Sequence, residues 1–572
     1  MTVHDGMNRR QAYTLYLNHA LSTWNARSYE FAAVLFTASA YPEGLRAASL
    51  IGVSTSLAAI CFGSAIGRWI DHGTSRLRTL LATIAINRCA VVAACLLWFF
   101  IVGNQSNKEP GTESDGEAFG STAILHGTMK TVAFSLLLLL GIIESLSRKA
   151  NVISIERDWV PLLAPVATPG GYTLTHVNAM MARVDMICKL ISPIVVSWFL
   201  STVSTRVGVV IVALTNGLSF AAELWSAGKL WNQCPQLSER KTSQISDSSH
   251  DPMIPNGFSL NSSLEKVSTL PASFLDSLKL YFNSSVCSPS LAMCVTHASI
   301  LSVTSITIVF LLDSGYSLRL VAVGEAMSAM FELSSTLFVP LAVRRITTAI
   351  APSVAVELET TPDEEEDDES LAKSPVGENR TLFQGVDAAI SRVGLSGILG
   401  MTSVLVSRSR IFEDTVNGSI VLTSTQLPAV PILMYLTHVL QYPLSRTSNS
   451  PTFTAHPIVT SVLFFCLASS RLGRGMFSLS TQQLAQSRLP PHQRSSFAGT
   501  ETAFASTFGL IHSLGTAIWS EPAEFGWLAL ASWIMVVSSA VMYVRWWMRE
   551  NARVRHWEGW RLGQYSALSM NE

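Results

Sequence analysis

Arg27 and Glu30 stand three residues apart in LSTWNARSYEFAAVLF, Leu21–Phe36, a stretch apolar enough at both ends to lie in a bilayer. On a helix that spacing puts both groups on one face, with Asn25 close by. Ionised groups at membrane depth cost several kcal/mol unless partners or water meet them, so the face must turn inward, onto a cavity lined by other helices. Asn216 and Glu223 are seven residues apart, two turns along one helix face. Two oxygen donors on one stripe suit a hard cation; alternatively, Glu223 is buried against Arg27 or Arg183. His512 sits in an otherwise apolar segment, as a structural histidine or as a metal ligand through neutral imidazole. His297 carries the same two readings. Glu144, Glu325, Glu332 and Asp387 are further carboxylates at or near membrane depth. No nucleophile–base pair and no phosphate loop is evident, so no enzyme is expected.

These side chains need helices to position them, and the composition supplies them. The chain has 572 residues, 48% hydrophobic and 14% charged, against about 25% charged in a soluble globular chain. Its formal net charge of −1 offers no case for nucleic acid. The 8 cysteines are scattered without zinc spacing and read as small hydrophobes. No cleavable leader is evident before Arg9 and Arg10. Twelve candidate spans of bilayer length fall at roughly 12–36, 46–70, 79–102, 129–147, 180–203 and 207–232, then 289–313, 317–343, 384–407, 455–479, 495–519 and 524–548. A Ser-rich, polar segment separates the two sets. The expected fold is therefore an all-α membrane protein of twelve transmembrane helices in two six-helix halves, the major facilitator layout with a midplane site.

The domain plan that follows is an N-terminal half at 1–232, a linker at 233–284, a C-terminal half at 285–548 and a tail at 549–572. The linker ends in a short amphipathic helix, FLDSLKLYFNSS, suited to a membrane surface. Within the second half, 346–383 is an acidic loop, its PDEEEDDES run a solvated charge block, and 410–454 is a loop on the opposite side. Val421–Gln441 is apolar but carries Pro428 and Pro431, and is expected to be interfacial or re-entrant. Lys and Arg concentrate in alternate short loops, which places both termini in the cytoplasm.

Gly67-Arg-Trp-Ile-Asp71, followed by Arg76 and Arg78, fits the G-x-x-x-D motif found between the second and third spans of major facilitator proteins, where a cytoplasmic gate forms. LNHALSTWNARSYEFAAVLF, AIGRWIDHG, ISIERDWV, VNAMMARVDMICKLISP, LKLYFNSSV and SSFAGTETAFASTFGLIHSLGTAIWSEPAEFG occur in that order. Together they resemble ferroportins, the solute carriers that export ferrous iron.

The resemblance implies an alternating-access exporter of Fe2+, or of Co2+, Ni2+ or Mn2+, with no enzymatic chemistry and proton influx as a natural counter-flow. It assigns the second-half metal ligand to His512, with Ser305 standing where the family has a cysteine. In the first span, Ala26 replaces an aspartate and Glu30 a histidine. Glu30 then either restores a carboxylate ligand or neutralises Arg27. Asn216 and Glu223 map to a Ca2+-associated site whose other donors fall on Ala26 and Ile86, which have no side-chain oxygen. Arg157, Asp158, Asn178, Arg183, Asp185 and Arg494 map to the cytoplasmic gate, together with Asp71. Arg471 maps to a cavity charge like Arg27. The implied partners are a lipid bilayer and a divalent metal, in a monomer of the plasma membrane or an endomembrane. The same missing ligands leave two alternatives, a same-fold carrier of another cation or small solute and a metal sensor without turnover.

Overall fold

The computed structural model describes residues 7–41, 46–105, 119–164, 172–238, 270–299, 307, 310–312, 316–359, 386–393, 395–396, 457–519 and 524–568. Ser305, the bulk of the polar linker, the acidic run, the Pro-bearing stretch 421–441 and the end of the ninth predicted span lie outside the described residues. Every regular element among the described residues is a helix.

The first part of the chain forms α1 (Arg9–Ala40), α2 (Arg46–Asp71), α3 (Arg76–Gln105), α4 (Phe119–Ile153), α5 (Leu174–Thr202) and α6 (Thr205–Gln233). Shorter helices follow, α7 (Leu270–Asn283) and α8 (Cys287–Val295). The later long helices are α9 (Leu318–Glu359), α10 (Pro457–Arg488), α11 (Arg494–Ile518) and α12 (Phe525–Leu568).

Local chemistry accounts for several boundaries. The Gln11 side chain accepts from the Asn8 backbone N–H at 2.7 Å, holding the first turn of α1. Thr173 and Ser204 side chains accept from the third residue on and start α5 and α6. Beyond Ile153, α4 widens into a π-helical turn, Ser154–Trp159, before a last turn at Val160–Leu163. Pro161 brings no N–H to the ladder there, and such wide turns re-aim side chains at functional sites. Here the side chains are Arg157 and Asp158.

Eight helices among the described residues are long and apolar enough to cross a bilayer: those within α2 to α6, α9, α10 and α12. Although α1 and α11 are comparably long, they are too polar for that set, and they carry Glu30 and His512. Helix length also exceeds apolar length. The predicted loop from 346 begins as helix, since α9 continues to Glu359, and the predicted tail continues α12 to Leu568. Membrane thickness limits only the apolar run, whereas backbone propensity decides where a helix stops.

The chain divides into two compact units, 1–284 with 489–507, and 285–488 with 508–572. In the first, Leu15, Leu80, Ile84, Trp159, Val177 and Leu230 make one apolar cluster, and Phe36, Val91, Trp98 and Val196 a second. In the second unit Phe310, Leu463, Phe464, Phe525 and Leu528 pack together, with the Phe310 and Phe525 rings stacked at 4.2 Å. Large apolar side chains such as Ile194, Trp198, Leu218, Met330 and Trp527 point outward. On a bilayer-spanning chain these are the residues that meet lipid. The surface helix expected after the linker, α7, is anchored on one face: Tyr281 is fully buried, stacking on Phe497 at 4.6 Å.

Candidate functional site

The polar seam of α1 does meet partners. Arg27 donates to both carboxylate oxygens of Asp185 on α5, at 3.1 and 3.2 Å, and to Glu30 at 3.3 Å. Arg148 on α4 reaches Glu30 at 3.6 Å and Glu144 at 3.3 Å. Three helices thus link two arginines and three carboxylates in one chain of ion pairs. The linked set is open at one side, since the Glu30 side chain is 53% exposed and that of Asp185 38%. Ion pairs with that much water access are worth only ~0–1 kcal/mol. Their carboxylates can change partners cheaply.

A second network lies deeper in the same unit and is dry. Glu223 on α6 is fully buried and accepts from Arg88 of α3 at 2.7 Å and from Asn25 at 3.1 Å. Arg88 also donates to Asn216 at 3.1 Å and to Asn87 at 3.0 Å. Asn25 reaches Ser219 at 2.5 Å, and Asn18 binds the Glu223 carbonyl at 3.0 Å and Ser226 at 2.8 Å. The partner of Glu223 is therefore Arg88, not the Arg27 or Arg183 expected from the sequence. A calcium ion does not fit these donors as they stand. A guanidinium already lies on Asn216 and Glu223, and Ala26 and Ile86 add no oxygen.

At the end of α2, Asp71 caps the start of α11, where the first residue it bonds, Ser495, is 424 positions further on. Its carboxylate accepts from the backbone N–H of Ser495 at 3.1 Å and of Ser496 at 2.6 Å, and from the Ser496 hydroxyl at 2.6 Å. An anion at a helix N-terminus satisfies orphan donors and complements the dipole. Around it, Arg157 pairs with Glu501 at 2.9 Å, Arg76 with Asp158 at 3.0 Å, and Lys149 donates to Ser506 at 3.1 Å. Arg494 donates to the Leu489 carbonyl at 3.0 Å and lies within electrostatic range of Asp71, Arg157 and Asp158. Of the other expected gate residues, Asn178 is buried on α5, Arg183 contacts the Met180 sulfur at 3.3 Å, and Asp185 pairs with Arg27 of α1. Asp71→Ala should cost about 1–2 kcal/mol of helix-terminus stability. By hydrogen exchange, amides 495–498 should then exchange roughly tenfold faster; unchanged protection would rule out the cap.

In the second unit, His512 on α11 lies beside the backbone of Ala298. Its Nδ1 is buried with no hydrogen-bond partner among the described residues. His297, the residue before Ala298, shares its Nδ1 with Arg474 of α10 at 3.4 Å. Arg471, one turn earlier on α10, pairs with Glu332 of α9 at 3.6 Å. Among the described residues no cluster of three or more His, Cys, Asp or Glu could hold a metal ion.

The family model described as Ferroportin1 (FPN1) matches residues 9–361 and 384–536. The chain belongs to the ferroportin family. It is accordingly classed with transporters and not with enzymes. Among curated ferroportin-family relatives, "Solute carrier family 40 member 1" of Oryza sativa subsp. japonica is 22% identical over 92% of this chain and 89% of its own length. "Ferroportin" of Rattus norvegicus is 22% identical over 93% and 90%. A bacterial homologue of the iron transporter ferroportin, solved in an outward-facing state, matches with TM-score 0.62 at 16% identity over 94% of this chain and 99% of that one. With soaked iron the TM-score is 0.61, over 94% and 98%. A proton:xylose symporter of the major facilitator superfamily matches at 0.50 with 10% identity over 95% and 96%. The fold is thus major-facilitator-like, as the layout of the spans suggested.

Among the residues of these networks that escaped the sequence reading are three charges. Arg88 is a charge in the apolar middle of α3, a signal that by itself marks function or pairing. Glu501 in GTETAF and Arg474 in RLGRG stand likewise in membrane-length stretches. Each was detectable as a charge, but none showed its partner.

Proposed function

We propose that this chain exports a divalent transition metal, ferrous iron first, from the cytoplasm by alternating access. The observation that carries the reading is His512, a ring nitrogen unclaimed by any described group in a helix too polar to be a mere lipid-facing span. Family membership agrees with it, because relatives are named for iron transport. In the first unit the ion pairs linking Arg27, Glu30, Arg148 and Asp185 supply exposed carboxylates that can release an arginine and take a cation. The cluster of Asp71, Arg157, Glu501 and Arg494 serves as the cytoplasmic gate, since capping bonds and ion pairs can break and re-form as units. Metal and protons compete for imidazole and carboxylate, so proton influx would drive efflux. The basic loops put both termini in the cytoplasm of a plasma-membrane or vacuolar carrier.

Reconstituted in proteoliposomes loaded with ferrous iron, His512→Ala should lower efflux by at least roughly tenfold. Wild-type flux in that variant would remove His512 from the mechanism.

A further inference from the structure

The second-unit site has a charge balance that a bare dication should not favour. Among the described residues, two guanidinium groups, Arg471 and Arg474, stand against one carboxylate, Glu332. Arg471 is paired with that carboxylate. Among the described residues, Arg474 has no carboxylate within ion-pair distance, and its one hydrogen bond is the long contact with His297. His512 lies within electrostatic range of Arg474. A guanidinium is a planar fork of N–H donors that matches a carboxylate in two parallel bonds. Next to two imidazoles, this is half of a site for a metal bound to an oxygen anion: the histidine takes the metal and the arginine takes its ligand.

We propose that the His512 site accepts its metal as a complex with a small chelating carboxylate, whose free oxygens are held by Arg474. The proposal rests on the transport reading above and names the form of its substrate. The complex lowers the incoming charge, so the fixed positive charge of Arg474 becomes an attraction. It also brings oxygen ligands to the metal, which spares the protein from supplying a full coordination shell.

The test measures binding of ferrous iron to the full chain in lipid nanodiscs under anaerobic conditions, with citrate as the carboxylate probe. Citrate and ferrous iron at equal concentrations should bind about tenfold or more tightly than ferrous iron alone, the worth of a charge-assisted pair. Arg474→Leu should erase that gain while leaving binding of iron alone equal or stronger, and Arg474→Lys should keep part of it. Citrate that weakens wild-type binding, or leaves it unchanged, overturns the proposal. So does a full citrate gain in Arg474→Leu. The wild-type comparison decides even if neither variant folds. His512→Ala separates the two readings: iron binding that ignores His512 fails the transport reading, whereas loss of binding in His512→Ala without a citrate effect fails only this one.

Discussion

Arg88→Met is expected to destabilise the first unit by about 3–5 kcal/mol, because it strands the fully buried Glu223 carboxylate without its cation. The loss should appear as a lower unfolding midpoint of the purified protein in detergent. Glu223→Gln in the Arg88→Met background should recover part of it, since a neutral amide can be satisfied by Asn25 and Ser219 where an unpaired carboxylate cannot. The four-way comparison isolates the pair's coupling. Additive losses would mean that Arg88 and Glu223 do not stabilise each other. Because Arg88 is tethered, calcium added to the wild type should leave the midpoint unmoved.

The second large effect is expected at Gly67. Gly63 and Gly67 lie four apart on α2 and face the start of α11, where Gly499 stands opposite them. The small-xxx-small pattern lets backbones touch. A Cβ built on Gly63 would lie 2.7 Å from the Gly499 carbonyl, and one on Gly67 would overlap the Ser495 carbonyl outright. Backbone cannot swing aside as a side-chain end can. Gly67→Val should therefore cost at least the ~1–3 kcal/mol of core overpacking and prise the Ser495 and Ser496 amides off Asp71. Labelling of Ala498→Cys, in a background with the exposed Cys61 and Cys89 changed to serine, reads this directly. Ala498 is buried against Ile70, Ala150 and Ile153, and the introduced thiol should react at least about tenfold faster when Gly67→Val is added to that background. Equal rates would mean that the crossing tolerates a side chain.

Much of the site was legible because membrane depth makes polar residues conspicuous. Arg27, Glu30 and His512 stand out as charges or an imidazole in apolar surroundings, Asp71 by its G-x-x-x-D motif, and Arg157 and Asp185 through the resemblance; all but His512 lie in side-chain ion-pair or hydrogen-bond networks. What failed was pairing. For Glu223 the sequence offers Arg27 or Arg183 as the alternative to a cation site, while the arginine that reaches it comes from α3. Glu501 went unnoticed because nothing near it in the chain signals Arg157, 344 residues away.

The sequence alone determined that apolar stretches of bilayer length recur, that α1 and α11 interrupt them with polar side chains, and that the chain resembles ferroportins. The first two are local properties, set by composition and by a period of 3.6 residues, and the resemblance rests on motifs that occur in order along the chain. Tertiary structure decided which charge neutralises which: Arg88 on Glu223, Asp71 on the first turn of α11, and Arg474 beside His297 with no carboxylate of its own among the described residues. An ion pair in a low-dielectric interior depends on distances of about 3 Å between helices far apart in the chain, and only packing brings those helices together.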